Sequence, residues 1–113
     1  MANWMVSLAN AAARETGVYV GLMSGTSADG IDVAVVELTD GERPRELAFQ
    51  STAYPEGLRE RVLQGIAGEA DPADINELHT LVGQAFGHAA ATALHAAGIR
   101  VADAVAIGSH GQT

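Results

Sequence analysis

One short stretch combines glycines, hydroxyls and carboxylates between two apolar runs of strand length. The runs cover residues 18–23 and 31–38. Glycines allow a turn with positive φ and let a ligand approach the backbone closely. Backbone N–H groups and hydroxyls in such a turn are suitable donors to an anion such as a phosphate. The stretch reads Ser24, Gly25, Thr26, Ser27, Ala28, Asp29, Gly30, Ile31 and Asp32.

Two carboxylates accompany these donors, Asp29 inside the turn and Asp32 just after it. Carboxylate oxygens are hard ligands that suit magnesium, directly or through water. Phosphate donors beside a metal-binding carboxylate are what a nucleoside triphosphate needs, so the stretch is a candidate site for a nucleoside triphosphate with magnesium. The alternative is an ordinary hairpin, because Ser, Thr, Asp and Gly are also the usual turn residues.

The stretch is not a Walker A site. Gly25 and Gly30 have the spacing of the two P-loop glycines, but Ile31 and Asp32 occupy the places of Lys and Ser/Thr. The chain contains no lysine, so no other part of it supplies that cation.

A second polar stretch, residues 108–113, follows the apolar run 104–107. Ligands of open α/β sheets bind beyond the ends of strands. We therefore expect a loop here, with Ser109, His110 and Gln112 as candidates for positioning a substrate. The alternative is a turn whose polar side chains satisfy its own backbone.

The elements that position these stretches are predicted in the order strand, strand, strand, helix, helix, strand. The strands cover residues 18–23, 31–38, 45–54 and 104–107. The first helix covers 55–67, and the second begins at the N-cap Asp71 with Pro72 and ends before Gly98. A short connection makes the first two strands antiparallel. Apolar residues on both alternating faces of the second strand predict a sheet covered on both sides, as in a layered α/β domain.

Composition excludes several classes of protein. The chain has 113 residues and a net charge of −8, which opposes binding to the phosphodiester backbone of a nucleic acid. It has no cysteine for disulfides. It also has no apolar run of about 20 residues for a membrane span and no basic start typical of a signal peptide. We expect a cytoplasmic protein with an N-terminal extension, residues 1–16, and one domain portion, residues 17–113.

The remaining polar residues carry no predicted chemistry. His79, His88 and His95 lie on the long helix without the spacing of a metal pair, so they are expected to face solvent or pack. Arg59 and Arg61 lie beside Glu56 and Glu60, and surface pairs among them contribute well under about 1 kcal/mol.

Residues 21–32 strongly resemble the first phosphate-binding loop of anhydro-N-acetylmuramic acid kinases. Residues 106–113 resemble a second block of the same family, in the right order. Ala28 departs slightly, since a larger apolar residue is expected there. The resemblance implies a ribonuclease-H-like fold, that of the actin, hexokinase and Hsp70 superfamily, in which the hairpin turn after the first strand holds the phosphates of the nucleotide.

The resemblance also implies an activity. Members use ATP and magnesium to open the ring of 1,6-anhydro-N-acetylmuramic acid and phosphorylate O6, in peptidoglycan recycling. Residues 25–32 then bind ATP, and Ser109, His110 and Gln112 lie near the sugar. Asp29 or Asp32 helps to place the metal, with Asp29 as the named ligand, directly or through water. The chain is less than half of a family member, so the general base is expected beyond Thr113 and the isolated chain is expected to be inactive.

Other readings stay open. A different sugar or acetate kinase of the superfamily shares the phosphate loop but lacks the second block. A non-catalytic actin-like module binds nucleotide without an activating carboxylate, and a structural domain shows no nucleotide affinity. Whether the chain forms a homodimer is also open.

Overall fold

The computed structural model describes residues 16–112. Residues 1–15, which make up most of the predicted extension, lie outside this range. The predicted order of strands and helices is confirmed. The elements are β1 (Thr16–Ser24), β2 (Ile31–Thr39), β3 (Arg45–Thr52), α1 (Leu58–Ile66), α2 (Pro72–Ala96) and β4 (Ala104–Gln112), with a 3-10 turn at Val101–Asp103 before β4.

The four strands form one mixed sheet in the order β3-β2-β1-β4. β1 pairs antiparallel with β2, as predicted, and β2 pairs antiparallel with β3. β4 pairs with β1 in parallel, after the chain returns through both helices, because a parallel neighbour needs a long crossover. This arrangement places the β1–β2 connection beside the C-terminal end of β4.

Helices cover one face of the sheet. Val20, Leu22, Ile31, Val33 and Val35 are buried in a core shared with residues of α1 and α2. On the opposite face Met23, Leu38 and Phe49 are 47%, 39% and 56% exposed. The prediction of a sheet covered on both sides is therefore wrong for the described residues, because both helices that follow β3 pack against the same face.

The ends of the long helix agree with the sequence signals. The Asp71 side chain accepts a hydrogen bond from the Asp74 N–H at 2.9 Å, and Pro72 opens the helix. At the other end Gly98 has φ 74°, and the Ile99 N–H donates to the Leu94 carbonyl at 2.9 Å. These bonds satisfy backbone groups that a helix end leaves open.

The shorter helix begins later than predicted. The chain turns after Pro55, with a hydrogen bond from the Leu58 N–H to the Pro55 carbonyl at 3.0 Å. Gly57 caps α1 with φ 82°, a conformation that glycine adopts without steric cost. The helix therefore starts at Leu58, which leaves Arg59 in its first turn.

The last strand is longer than predicted. β4 continues through Gln112 because β1 offers backbone partners as far as Ser24: Gly108 pairs with Gly21, and Gln112 with Ser24. The register shifts between these pairs, and Gly111 in this irregular segment has φ 76°. The prediction of a loop is therefore wrong for residues 108–112. Thr113, the last residue of that predicted loop, lies outside the described range.

Within residues 16–112, neither helix is both long and apolar enough to cross a lipid bilayer.

Candidate functional site

The connection between β1 and β2 is a six-residue loop, residues 25–30, built on one tight turn. The Ala28 N–H donates to the Gly25 carbonyl at 3.0 Å. The Ser24 hydroxyl donates to the Gly30 carbonyl at 2.7 Å and so joins the two ends of the loop. Ser24 is only 2% exposed. This hydroxyl therefore holds the loop and does not face an external anion.

Positive φ occurs at a different residue from those predicted. Neither Gly25 nor Gly30 has it, whereas Ala28 has φ 51° and is fully buried. A non-glycine residue in this conformation costs of the order of 1–3 kcal/mol and requires support from its surroundings. Burial of the Ala28 methyl group in the core supplies that support. The side chain of Ala28 thus anchors the loop in the core, which explains why this position is apolar.

Gly30 serves close packing. A Cβ atom at this position would lie 2.7 Å from the backbone carbonyl oxygen of Thr52 at the end of β3. A Cβ atom placed at Gly25 would have no such neighbour within 4 Å. The loop is thus tight against β3 on one side and open on the other.

The exposed part of the loop presents the donors. Thr26 and Ser27 are exposed, and within residues 16–112 their N–H groups have no protein acceptor. The Ser27 hydroxyl donates to Asp29 Oδ2 at 2.9 Å. Successive backbone amides that have no protein acceptor are donors of the kind that bind anions.

Asp29 is bonded to the first helix. Arg59 Nη2 lies 3.3 Å from Asp29 Oδ1 and also donates to the Ser27 carbonyl at 3.1 Å. Arg61 bonds Glu77 on α2, and within residues 16–112 neither arginine forms an ion pair with Glu56 or Glu60. Arg59 is a contact of the loop that sequence spacing did not reveal.

The two candidate carboxylates are not brought together. Asp32 alternates with the buried residues Ile31 and Val33, so its side chain lies on the face that the helices leave open. There its Oδ1 accepts a hydrogen bond from the Ser51 hydroxyl at 2.6 Å. Asp29 alone of the two lies inside the loop.

Gln112 joins the second polar stretch to the loop. Its Nε2 donates to the Gly25 carbonyl at 2.6 Å, and its Oε1 accepts a hydrogen bond from the Tyr54 hydroxyl. Tyr54, just after β3, is 8% exposed. Burial raises the pKa of Tyr54 above 10.0, and a hydrogen bond with Ser24 opposes part of the rise. The phenol therefore stays protonated and can donate at neutral pH.

Among residues 16–112, no hydrogen bond or ion pair joins the side chain of Ser109 or His110 to the loop. Ser109 Oγ accepts the Gly111 N–H at 3.0 Å, and His110 is exposed. Ser109, Gly111 and Gln112 line a cleft of about 570 Å³ against α1 and α2. The rest of the lining is mainly apolar, including Val62, Ile66, Ile75, Leu78 and Phe86. This cleft lacks the charged groups that a triphosphate needs.

No preformed metal cage exists among residues 16–112, where no three His, Asp or Glu side chains cluster. His79, His88 and His95 are exposed, as predicted. Asp29 still fits magnesium, because its side chain is 78% exposed and this ion commonly binds one carboxylate together with phosphate oxygens.

Comparison with known proteins identifies the family. A sequence profile described as anhydro-N-acetylmuramic acid kinase matches residues 17–113. The chain belongs to this family. A protein of that name from Vibrio vulnificus strain YJ016 is 40% identical over 97 residues, covering 85% of the chain and 26% of the relative. A Gloeobacter violaceus protein of the same name is 43% identical over 98 residues, covering 83% and 26%.

The chain therefore spans about a quarter of the length of these anhydro-N-acetylmuramic acid kinases. A Synechococcus elongatus relative of the same name shows the same proportion, with 42% identity over 83% of the chain and 25% of the relative. The mixed α/β sheet agrees with the fold expected for the family. Two residues that support the candidate loop were absent from the sequence interpretation: Arg59 bonds the loop directly, and Tyr54 bonds Gln112, which in turn bonds the loop. Only the paths of β3 and α1 bring them there.

Proposed function

We propose that residues 17–113 are the N-terminal part of an ATP- and magnesium-dependent kinase of 1,6-anhydro-N-acetylmuramic acid. The product is N-acetylmuramic acid 6-phosphate, and the setting is peptidoglycan recycling in the bacterial cytoplasm. The family match over residues 17–113 carries the proposal. The hydrogen bond from Gln112 to the Gly25 carbonyl supports it, because this bond joins the two sequence blocks into one site.

The loop has the first role. Residues 25–30 hold the phosphates through the amides of Thr26 and Ser27, which have no acceptor within residues 16–112. Ala28 and Ile31, both buried, fix the backbone of the loop and do not present side chains to the nucleotide. Loop positions set in advance of binding are what phosphoryl transfer requires, since its catalysis rests on positioning and charge stabilisation.

The carboxylates have separate roles. Asp29 holds magnesium, which neutralises charge on the phosphoryl group when it is bound. Asp32 supports the loop from the other face through Ser51, which leaves one loop carboxylate for the ion. This assignment narrows the sequence prediction, which allowed either residue.

The reaction joins two bond exchanges. A water oxygen bonds to C1 of the sugar as the C1–O6 bond breaks, and O6 bonds to the γ-phosphorus as its bond to the β–γ bridging oxygen breaks. ADP leaves, and the water loses one proton to a general base. That base belongs to the part of the kinase beyond this chain, so the 113-residue chain alone does not turn over substrate. Ser109 and Gln112, which line the cleft, and the exposed His110 between them in sequence are assigned to positioning the sugar.

A matched pair of variants tests the assignment. Mg-ATP is titrated into the isotope-labelled chain, and the amide signals of residues 25–30 are followed by NMR. Asp29→Asn is expected to lose most of the magnesium-dependent gain in affinity, about tenfold or more, while Asp32→Asn keeps it. Equal behaviour of the two variants, or shifts confined to residues outside the loop, contradicts the proposal.

A further inference from the structure

We propose that Arg59 is a phosphate-binding residue of this site, which exchanges Asp29 for the phosphates when nucleotide and metal arrive. The inference rests on the proposed function of the loop. Arg59, in the first turn of α1, would supply the positive charge beside the phosphates that a lysine supplies in other phosphate-binding loops. The chain itself contains no lysine.

The placement of Arg59 is fixed by its helix. Leu58 and Val62, on either side of it, are buried in the core, so the first turn of α1 is anchored against the sheet. From that base Arg59 Nη2 reaches two atoms of the loop, the Ser27 carbonyl at 3.1 Å and Asp29 Oδ1 at 3.3 Å. The guanidinium therefore already lies at the segment proposed to bind phosphate.

Charge singles out this residue. The loop contains a carboxylate and no cation, and the whole chain carries −8. Among residues 16–112 the other arginines that form ion pairs contact partners outside the loop, Arg45 with Glu37, Arg61 with Glu77 and Arg100 with Asp103. Arg59 is the described cation that touches the loop. Bound triphosphate needs a positive partner, and a guanidinium matches phosphate oxygens with two parallel donors.

The present pair is easily exchanged. The side chains of Arg59 and Asp29 are 46% and 78% exposed, and ion pairs in such surroundings contribute little to stability. When magnesium occupies the Asp29 carboxylate, Arg59 loses its anionic partner. The phosphates that arrive with the ion then provide the replacement at the same location. The ion pair between Arg59 and Asp29 is thus exchanged for two charge-matched contacts, Asp29 with magnesium and Arg59 with phosphate.

Metal-free tripolyphosphate is the decisive probe, because it separates the role of Arg59 from that of the metal. NMR titrations compare the wild-type chain with Arg59→Gln, Arg59→Lys, Arg61→Gln and Asp29→Asn. Arg61 is the matched control, since it lies on the same helix and its ion pair has the same 3.3 Å length. Arg59→Gln is expected to weaken binding about tenfold, the loss of one charge-assisted contact. Arg59→Lys retains part of the affinity, and Arg61→Gln leaves it unchanged.

Asp29→Asn distinguishes phosphate binding from loop support. It removes the same ion pair as Arg59→Gln but frees the guanidinium, so tripolyphosphate affinity is expected to stay equal or rise. Equal weakening by both variants assigns Arg59 to loop support only and overturns the inference. Wild-type affinity in a folded Arg59→Gln chain also overturns it, while the proposed function stands. Absence of any loop response to Mg-ATP in the wild-type chain overturns both.

Discussion

The loop at residues 25–30 and the end of β4 at residues 108–112 are similar in composition but differ in conformation. Both stretches mix glycines with hydroxyl or carboxamide side chains after an apolar strand. The first is a loop held by side chains from β1 and β4 and by Arg59. The second is an edge strand paired with β1. The two conformations differ because β1 lies beside residues 108–112 and its backbone forms hydrogen bonds with them.

This comparison shows how the site is assembled. The loop supplies amides and Asp29, while β4 supplies one side chain, Gln112, that crosses to the loop. The backbone hydrogen bonds between β4 and β1 fix the position of the Gln112 backbone, and therefore the point from which its side chain reaches the loop. A flexible segment in place of β4 would leave the Gly25 carbonyl with the Ala28 N–H alone and without its side-chain donor.

The largest expected difference concerns glycine replacement. Gly30→Ala places a Cβ atom 2.7 Å from the Thr52 carbonyl oxygen, and the backbone must shift to accommodate it. We expect a loss of about 1–3 kcal/mol in the free energy of unfolding. Gly108→Ala enters open space and is expected to change it by less than about 0.5 kcal/mol. Urea unfolding of both variants measures this, and similar losses would show that the two stretches are equally packed.

The next effect concerns the tie between the two regions. Gln112→Ala leaves the Gly25 carbonyl and the Tyr54 hydroxyl without their side-chain partner, which we expect to cost about 1–2 kcal/mol. Amides of residues 26–30 should then exchange faster with solvent. Ser109→Ala removes only an exposed acceptor and serves as the control. Unchanged exchange in Gln112→Ala would show that the loop holds its shape without β4.

The smallest effect depends on pH. The pKa of Tyr54 is raised in the folded chain, so the unfolded chain releases this proton first, near pH 10.0. The stabilisation from the protonated phenol is complete below that pH and declines as pH rises towards the higher folded pKa. The stability advantage of wild type over Tyr54→Phe should therefore be constant from neutral pH upward and shrink above about pH 10. An advantage that grows there would reverse the assigned direction of the shift.

Local signals in the sequence accounted for much of the fold. Capping residues Asp71, Pro72 and Gly98 located the long helix, and the short connection after β1 gave the antiparallel pair. The same signals failed where a distant partner decides the conformation. The loop predicted for residues 108–112 became a strand because β1 lies beside it. The sequence predicted cover on both sheet faces, but among residues 16–112 the helices cover one face, because α1 and α2 pack together on it.

The sequence by itself determined the candidate loop and the family, because residue types along a contiguous stretch carry both. Tertiary structure decided which groups act together. It separated Asp29 from Asp32 and replaced the expected glycine conformation with that of buried Ala28. It also brought Gln112 to the loop and Tyr54 to Gln112. It also joined Arg59 to Asp29 across 30 positions of the chain. Such contacts depend on how strands and helices pack in space, which the spacing of residues along one segment does not specify.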